Sequence, residues 1–183
     1  LKLELMDLVG WGKLAEEIDA EFGRDVAKNL LQDMQPVTLG DGDTKALHFV
    51  PPKWLQHLVQ KEERDRTFDL RFLGKEFGFL VKGRLRLSLQ ILPDLLRFTK
   101  NTLEASGKAG EAFTYGRSIL AEGVVKIEPA LTRGSRVIVV DSMGECLGIA
   151  SLSVDAQKVD RLAPDRLVAK NLADVGWYIR RLG

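Results

Sequence analysis

Cysteine and histidine are nearly missing from this 183-residue chain, which has one cysteine, Cys146, and two histidines, His48 and His57. A lone cysteine closes no intrachain disulfide and builds no Cys-rich zinc site, so it points to a reducing compartment and to a packing role for Cys146. With so few thiols and imidazoles there is no Cys-x-x-Cys or His-Glu-x-x-His run to hold zinc, and no Gly-x-x-x-x-Gly-Lys-Ser/Thr loop to cradle a nucleotide phosphate. Low-complexity tracts, internal repeats of solenoid spacing and apolar runs near bilayer length are absent too, so no membrane partner is expected. The opening Leu1-Lys-Leu-Glu-Leu5 lacks the regions of a signal peptide and an initiator Met, which points to a trimmed or engineered start.

What remains is an ordinary globular composition, 45% hydrophobic and 29% charged, long enough for one large domain or two small ones. A net charge of +1 advertises no polyanion partner. The distribution is uneven, however. Residues 1–35 carry four Lys/Arg against eight Asp/Glu, whereas residues 71–100 carry seven against two. Such asymmetry has two readings, an RNA-facing side or a solvated surface.

Trp11, Leu14, Ile18 and Phe22 recur every three or four residues with acids between them, predicting an amphipathic helix that Gly23 ends. From Val26 to Met34 helix and strand are both open. Pro36 to Leu39, the Asp41-Gly-Asp43 turn and Ala46 to Val50 predict a β-hairpin. Asp41 and Asp43 have cation-ligating oxygens, but the pair reads first as a turn and no third carboxylate is near in sequence. His48, between Leu47 and Phe49, is expected to be an outward or hydrogen-bonded structural residue rather than a base. Pro51-Pro52 stops the strand and starts a helix with Trp54, Leu55, Leu58 and Val59 inward.

Runs at Phe68–Leu73, Phe77–Val81 and Leu85–Leu89 predict successive antiparallel strands with turns at Gly74 and Lys82-Gly83. Gly74-x-x-x-Gly78 lacks the strand–helix context of a nucleotide site. Leu92 to Phe98 reads as a short helix, and Glu104 to Gly110, small and polar, as the domain junction. Beyond it Tyr115–Glu122 is expected to be a short helix that Gly123 ends, followed by strands at Val124–Ile127, Arg136–Val140, Leu147–Val154 and Arg166–Lys170. A helical turn near Asp155–Val159 and a final helix capped by Asp174 complete the expectation.

Tyr115-Gly116-Arg117, Gly123-Val124, Arg136 to Asp141, Leu147-Gly148-Ile-Ala150 and Asp174 to Arg180 together resemble a PUA domain, a module that binds structured or single-stranded RNA. The chain further resembles the Nip-seven family of large ribosomal subunit biogenesis factors. That resemblance is carried by Leu73-Gly74, Phe77-Gly78, Lys82, Arg86-Leu87, Glu111, Phe113, Leu120, Ile127, Met143, Lys158-Val-Asp160, Gly176 and Tyr178, and covers roughly residue 68 to the C-terminus. It implies an α+β fold: an N-terminal antiparallel sheet with helices over residues 1–105, then a PUA pseudo-barrel over 106–183. It also implies a noncatalytic role without cofactor, in which the chain binds precursor rRNA, single-stranded or uridine-rich, and meets ribosome-assembly or exosome-associated proteins. The compartment would be nucleolar in a eukaryote and cytoplasmic in an archaeon, and the lack of a basic import-like block favours the archaeal case.

RNA contacts need forked or mobile cations and planar stacking surfaces. In the PUA part the candidates are Lys158, Arg161, Arg166, Lys170, Arg180 and Arg181, any of which is also explained as a solvated side chain. PUA domains commonly place RNA against their first helix and the following glycine turn, which adds Arg117 and Gly123. Gly123 is either a site of close backbone approach or only a helix stop. Tyr115, Trp177 and Tyr178 stack on bases or fill a core. Lys82, Arg84 and Arg86 form a second basic patch or a protein-facing one. No metal or catalytic site is expected. The alternatives are a protein-interaction adaptor with weak RNA affinity and, more distantly, the RNA-recognition half of a modification enzyme.

Overall fold

The structure, a computed structural model, describes residues 3–57, 73–177 and 180. Leu58, Val59, residues 68–72 of the run expected at Phe68–Leu73, Tyr178 and Arg181 lie outside the described residues. The chain divides into two compact units, one of residues 1–20 and 24–91 and one of residues 21–23 and 92–183.

The first unit is a five-stranded antiparallel sheet whose strands lie in chain order: β1 (Leu3–Leu5), β2 (Gln35–Leu39), β3 (Thr44–Val50), β4 (Lys75–Val81) and β5 (Arg84–Leu87). Consecutive order follows from short hairpin connections, which pair each strand with its sequence neighbour. On one face lies α1 (Leu8–Phe22). Its Trp11 ring meets Phe49 edge-on at 5.5 Å, and Phe49 stacks on Phe77 at 4.6 Å, a favourable offset of aromatic quadrupoles. The other face gathers Val37, Val50, Leu73 and Leu55, the last from α3 (residues 52–57). Trp54, expected inward, is half exposed instead.

Because both faces are covered, Leu47, His48, Phe49 and Val50 are all buried. His48 therefore departs from expectation, being neither outward nor hydrogen-bonded: among the described residues neither ring nitrogen has a hydrogen-bond partner. Burial pushes its pKa down, with the Glu76 carboxylate and the Leu73 backbone working the other way. The ambiguous stretch after Gly23 forms α2 (Val26–Leu31). Asp19 of α1 resolves it, its carboxylate accepting from the Asp25 and Ala27 N–H groups at 3.2 and 2.7 Å and so satisfying donors that a helix start leaves unpaired.

The second unit holds α4 (Leu92–Leu96), α5 (Gly107–Thr114) and a six-stranded sheet. Its strands are β6 (Thr102–Ala105), β7 (Ile119–Leu120), β8 (Val124–Ile127), β9 (Arg136–Val140), β10 (Cys146–Leu152) and β11 (Leu167–Asp174), in the order β7-β11-β10-β9-β6-β8. The two edge strands, β7 and β8, are joined by a single 3-10 turn, Ala121–Gly123. Edges so close in sequence force the sheet to curve back on itself, giving a nearly closed barrel. Leu103, Phe113, Ile119, Val137, Val139, Leu152 and Val168 fill it. Residues 21–23 belong here: Thr99 Oγ1 donates to the Phe22 carbonyl at 2.7 Å, and Arg136 pairs with Glu21.

Three expectations about this unit need correction. Residues 104–110 are no junction: β6 pairs antiparallel with β8 and parallel with β9, and Ser106 caps α5, so the second unit begins ahead of residue 106. Tyr115–Glu122 is not a helix; the helix lies upstream, where Gly110 allows close approach to Leu147, and 119–123 are strand and 3-10 turn. Asp174 ends β11 rather than capping a helix, and its side chain is buried in an ion pair with Arg180.

Candidate nucleic-acid interface

The second unit carries a cleft of about 540 Å³ between α5 and the segment 117–123. Ser106 fixes one wall, its Oγ accepting from Ala109 N–H at the start of α5 while its own N–H donates to the Gly123 carbonyl at 2.9 Å. The opposite wall is tied down by Ala121 N–H to the Arg166 carbonyl and Glu122 N–H to the Pro164 carbonyl, at 2.9 and 3.0 Å. A Cβ on Gly123 would stand 2.6 Å from the Ala109 Cβ, closer than carbon atoms can pack. Glycine here lets helix and turn touch. Gly123 is buried, ends the 3-10 turn and lines the cleft, and its lack of a side chain serves this contact with α5.

Ala109, Ala112 and Leu120 give the cleft an apolar lining, and Ser106, Ser118, Lys108, Arg117 and Glu122 give it polar groups. Lys108 sits in the first turn of α5, where the helix dipole and unpaired N–H groups also favour an anion. Arg117 is exposed on the other wall. The cleft thus sets two cations and one carboxylate around a small apolar lining. Among the described residues no three His, Cys, Asp or Glu side chains gather into a metal-binding group. Cys146 is half-buried, and burial raises its thiol to about 11, so it stays protonated and inert.

Residues 102–183 match the UPF0113 PUA domain family. The second unit is thus similar to a PUA domain of that family. Among curated relatives, a UPF0113 protein of Archaeoglobus fulgidus is 31% identical over 100 residues, 55% of this chain and 57% of the relative. A 60S ribosome subunit biogenesis protein NIP7 homolog of Xenopus tropicalis is 29% identical over 109 residues, 59% of this chain and 61% of the relative, and that of Xenopus laevis is 27% identical over 73% of each. The first two matches thus span about three-fifths of the relatives' length. The fold is shared with a hypothetical protein of Pyrococcus horikoshii, with a TM-score of 0.67 at 13% identity over 97% of this chain and 99% of that one. It is also shared with a conserved PUA domain protein of Thermoplasma acidophilum, with a TM-score of 0.65 at 14% identity over 99% of both.

The PUA unit separates the cations named from the sequence. Among the described residues, Arg117 is the one of these cations that lines the cleft, beside Gly123, and Arg166 adjoins its far wall through its backbone. Lys158 and Arg161 lie on the 3-10 helix Ala156–Arg161, and Lys158 pairs with Asp155 at 2.8 Å, holding that carboxyl below the usual range. Lys170 is exposed on β11, opposite Ser151. Arg180 is committed to Asp174 and to the Thr114 carbonyl. Tyr115, where a core position was one of two readings, is 68% exposed at the end of α5. Lys108 escaped the sequence reading because 104–110 read as a junction; Ser106 three residues before Ala109 was the available signal. In the first unit, Arg84 and Arg86 are exposed between half-buried Leu85 and Leu87, and Lys82 is exposed at the preceding turn.

Proposed function

We propose that this chain is a noncatalytic RNA-binding factor of large ribosomal subunit biogenesis, engaging precursor rRNA through the PUA cleft. The observation that carries the reading is the cleft itself, with Lys108 and Arg117 on facing walls of a small apolar lining. A single-stranded base enters it and the cations take the flanking phosphates, since unstacked bases are what proteins read in RNA. Lys158, Arg161, Arg166 and Lys170 extend the path outside the cleft as phosphate contacts, and exposed Tyr115 offers a stacking face. The names of the Xenopus relatives support the biogenesis role. The site would work in the cytoplasm of an archaeon or the nucleolus of a eukaryote.

The first unit recruits assembly or exosome-associated proteins in this reading. Leu8 and Val9, 89% and 69% exposed at the start of α1, support it. Anisotropy titrations of an oligouridine and an rRNA fragment across a salt series test the whole: three to five phosphate contacts give a log–log slope of roughly −2 to −3.5. Absence of binding at low salt would leave the adaptor role. Turnover of either RNA would overturn the noncatalytic assignment.

A further inference from the structure

We infer that Asn171, Asp174 and Arg180 form a positioning latch that fixes the turn 115–117 and, through it, holds Arg117 at the cleft. The inference rests on the reading that the cleft binds RNA. Helix α5 ends at Thr114, and a helix end leaves carbonyls that need partners. Local N–H groups meet some of them, Gly116 at the Phe113 carbonyl and Arg117 at the Ala112 carbonyl, at 2.9 and 3.1 Å, and further partners come from far along the chain. Asn171 Nδ2 donates to the Phe113 carbonyl at 2.9 Å and more weakly to the Arg117 carbonyl at 3.4 Å, and Arg180 donates to the Thr114 carbonyl. The Asn171 N–H meets Ser118 Oγ at 3.2 Å. Two side chains thus hold carbonyls on both sides of Tyr115-Gly116.

Asp174 organises both. It is 2% exposed, and its two oxygens accept from the Arg180 guanidinium at 3.0 and 2.9 Å, with Asn171 Nδ2 at 3.2 Å. A bidentate, planar pairing fixes the guanidinium's orientation as well as its position. Gly176 makes the approach possible: a Cβ there would lie 2.0 Å from the Thr114 carbonyl oxygen. Of the anchored turn, Arg117 and Ser118 face the cleft. A turn held by its local backbone bonds alone would sample more conformations, and restricting it when RNA arrives would weaken binding. Arg180, expected from sequence to touch RNA, acts instead as a positioning residue, together with Asn171 and Asp174.

The test is a double-mutant cycle on the full chain, with oligouridine affinity, salt slope and thermal midpoint measured for Arg117→Ala, Asn171→Ala and the pair. Arg117→Ala should weaken binding about ten-fold and reduce the slope's magnitude by about 0.7, one single-strand phosphate contact. Asn171→Ala should reduce the slope similarly and add little in the Arg117→Ala background, because its effect passes through Arg117. Equal losses in both backgrounds, or an Asn171→Ala protein with unchanged affinity, would overturn the latch while leaving the cleft in place. Unchanged affinity in Arg117→Ala would overturn the cleft reading and the latch with it. If Asn171→Ala does not fold, Arg180→Gln, changed at the more exposed end of the latch, completes the same cycle with the same expectations.

Discussion

The two sheets differ in how far their strand partners lie along the chain. In the first unit every strand pairs with its sequence neighbour, whereas in the PUA unit β6 sits beside β8 and β9, and β7 pairs with β11 some 50 residues later, Leu120 opposite Leu167. The consecutive sheet buries its central strand on both faces and presents its cations, Arg84 and Arg86, on an edge strand. The barrel pairs remote strands, and the cleft with cations on two walls is lined by the single stretch 106–123, which the remote Pro164 and Arg166 carbonyls tie down. A flat charged edge can attract a polyanion, but a cleft can also select a shape.

The largest expected effect probes the consecutive sheet. Phe77→Ala removes the ring stacked on Phe49 and should cost about 3–5 kcal/mol in urea unfolding, with loss of amide protection centred on β3 and β4. Gly123→Ala probes the barrel's close contact with Ala109 and should cost about 1–3 kcal/mol while reshaping the cleft and weakening RNA binding; a neutral result would mean α5 can move aside. His48 makes the first unit sensitive to acid. Its folded pKa lies below the ordinary 6.5, so the unfolded state binds the proton more readily. Stability should be flat above about pH 6.5 and fall below it by at most about 1.4 kcal/mol per pH unit. His48→Leu should flatten that slope in pH-dependent unfolding. The smallest effect is expected for Arg84→Ala with Arg86→Ala: stability within about 0.5 kcal/mol, and a salt slope changed less than by Arg117→Ala alone. A larger change in slope would make the edge strand an RNA contact equal to the cleft and erase the contrast between the sheets.

Legibility in the sequence follows the same division. The spacing of Trp11, Leu14, Ile18 and Phe22 and the hairpins around Asp41-Gly-Asp43 and Lys82-Gly83 are local signals, and the strands and helix form where these place them. In the PUA unit the β-branched run Arg136–Val140 is equally plain. The helix and the first short strand were missed, because α5 is built of Gly107, Lys108, Ala109 and Gly110, residues of loop-like composition whose use is close packing against Leu147 and Gly123. Arg117 and Arg180 look alike in sequence as candidate cations near glycine and aromatic residues, yet one faces a cleft and the other a buried carboxylate.

The sequence by itself determined element types wherever periodicity and turn residues act over a few positions, together with the class of the second unit through its pattern of glycines and short strands. Which cations share a surface, which glycine is needed for contact rather than for a turn, and which arginine is spent on Asp174 were decided only by the tertiary structure. Those properties depend on pairs such as Asn171 with Phe113, or Gly176 with Thr114, whose separation along the chain leaves no local trace.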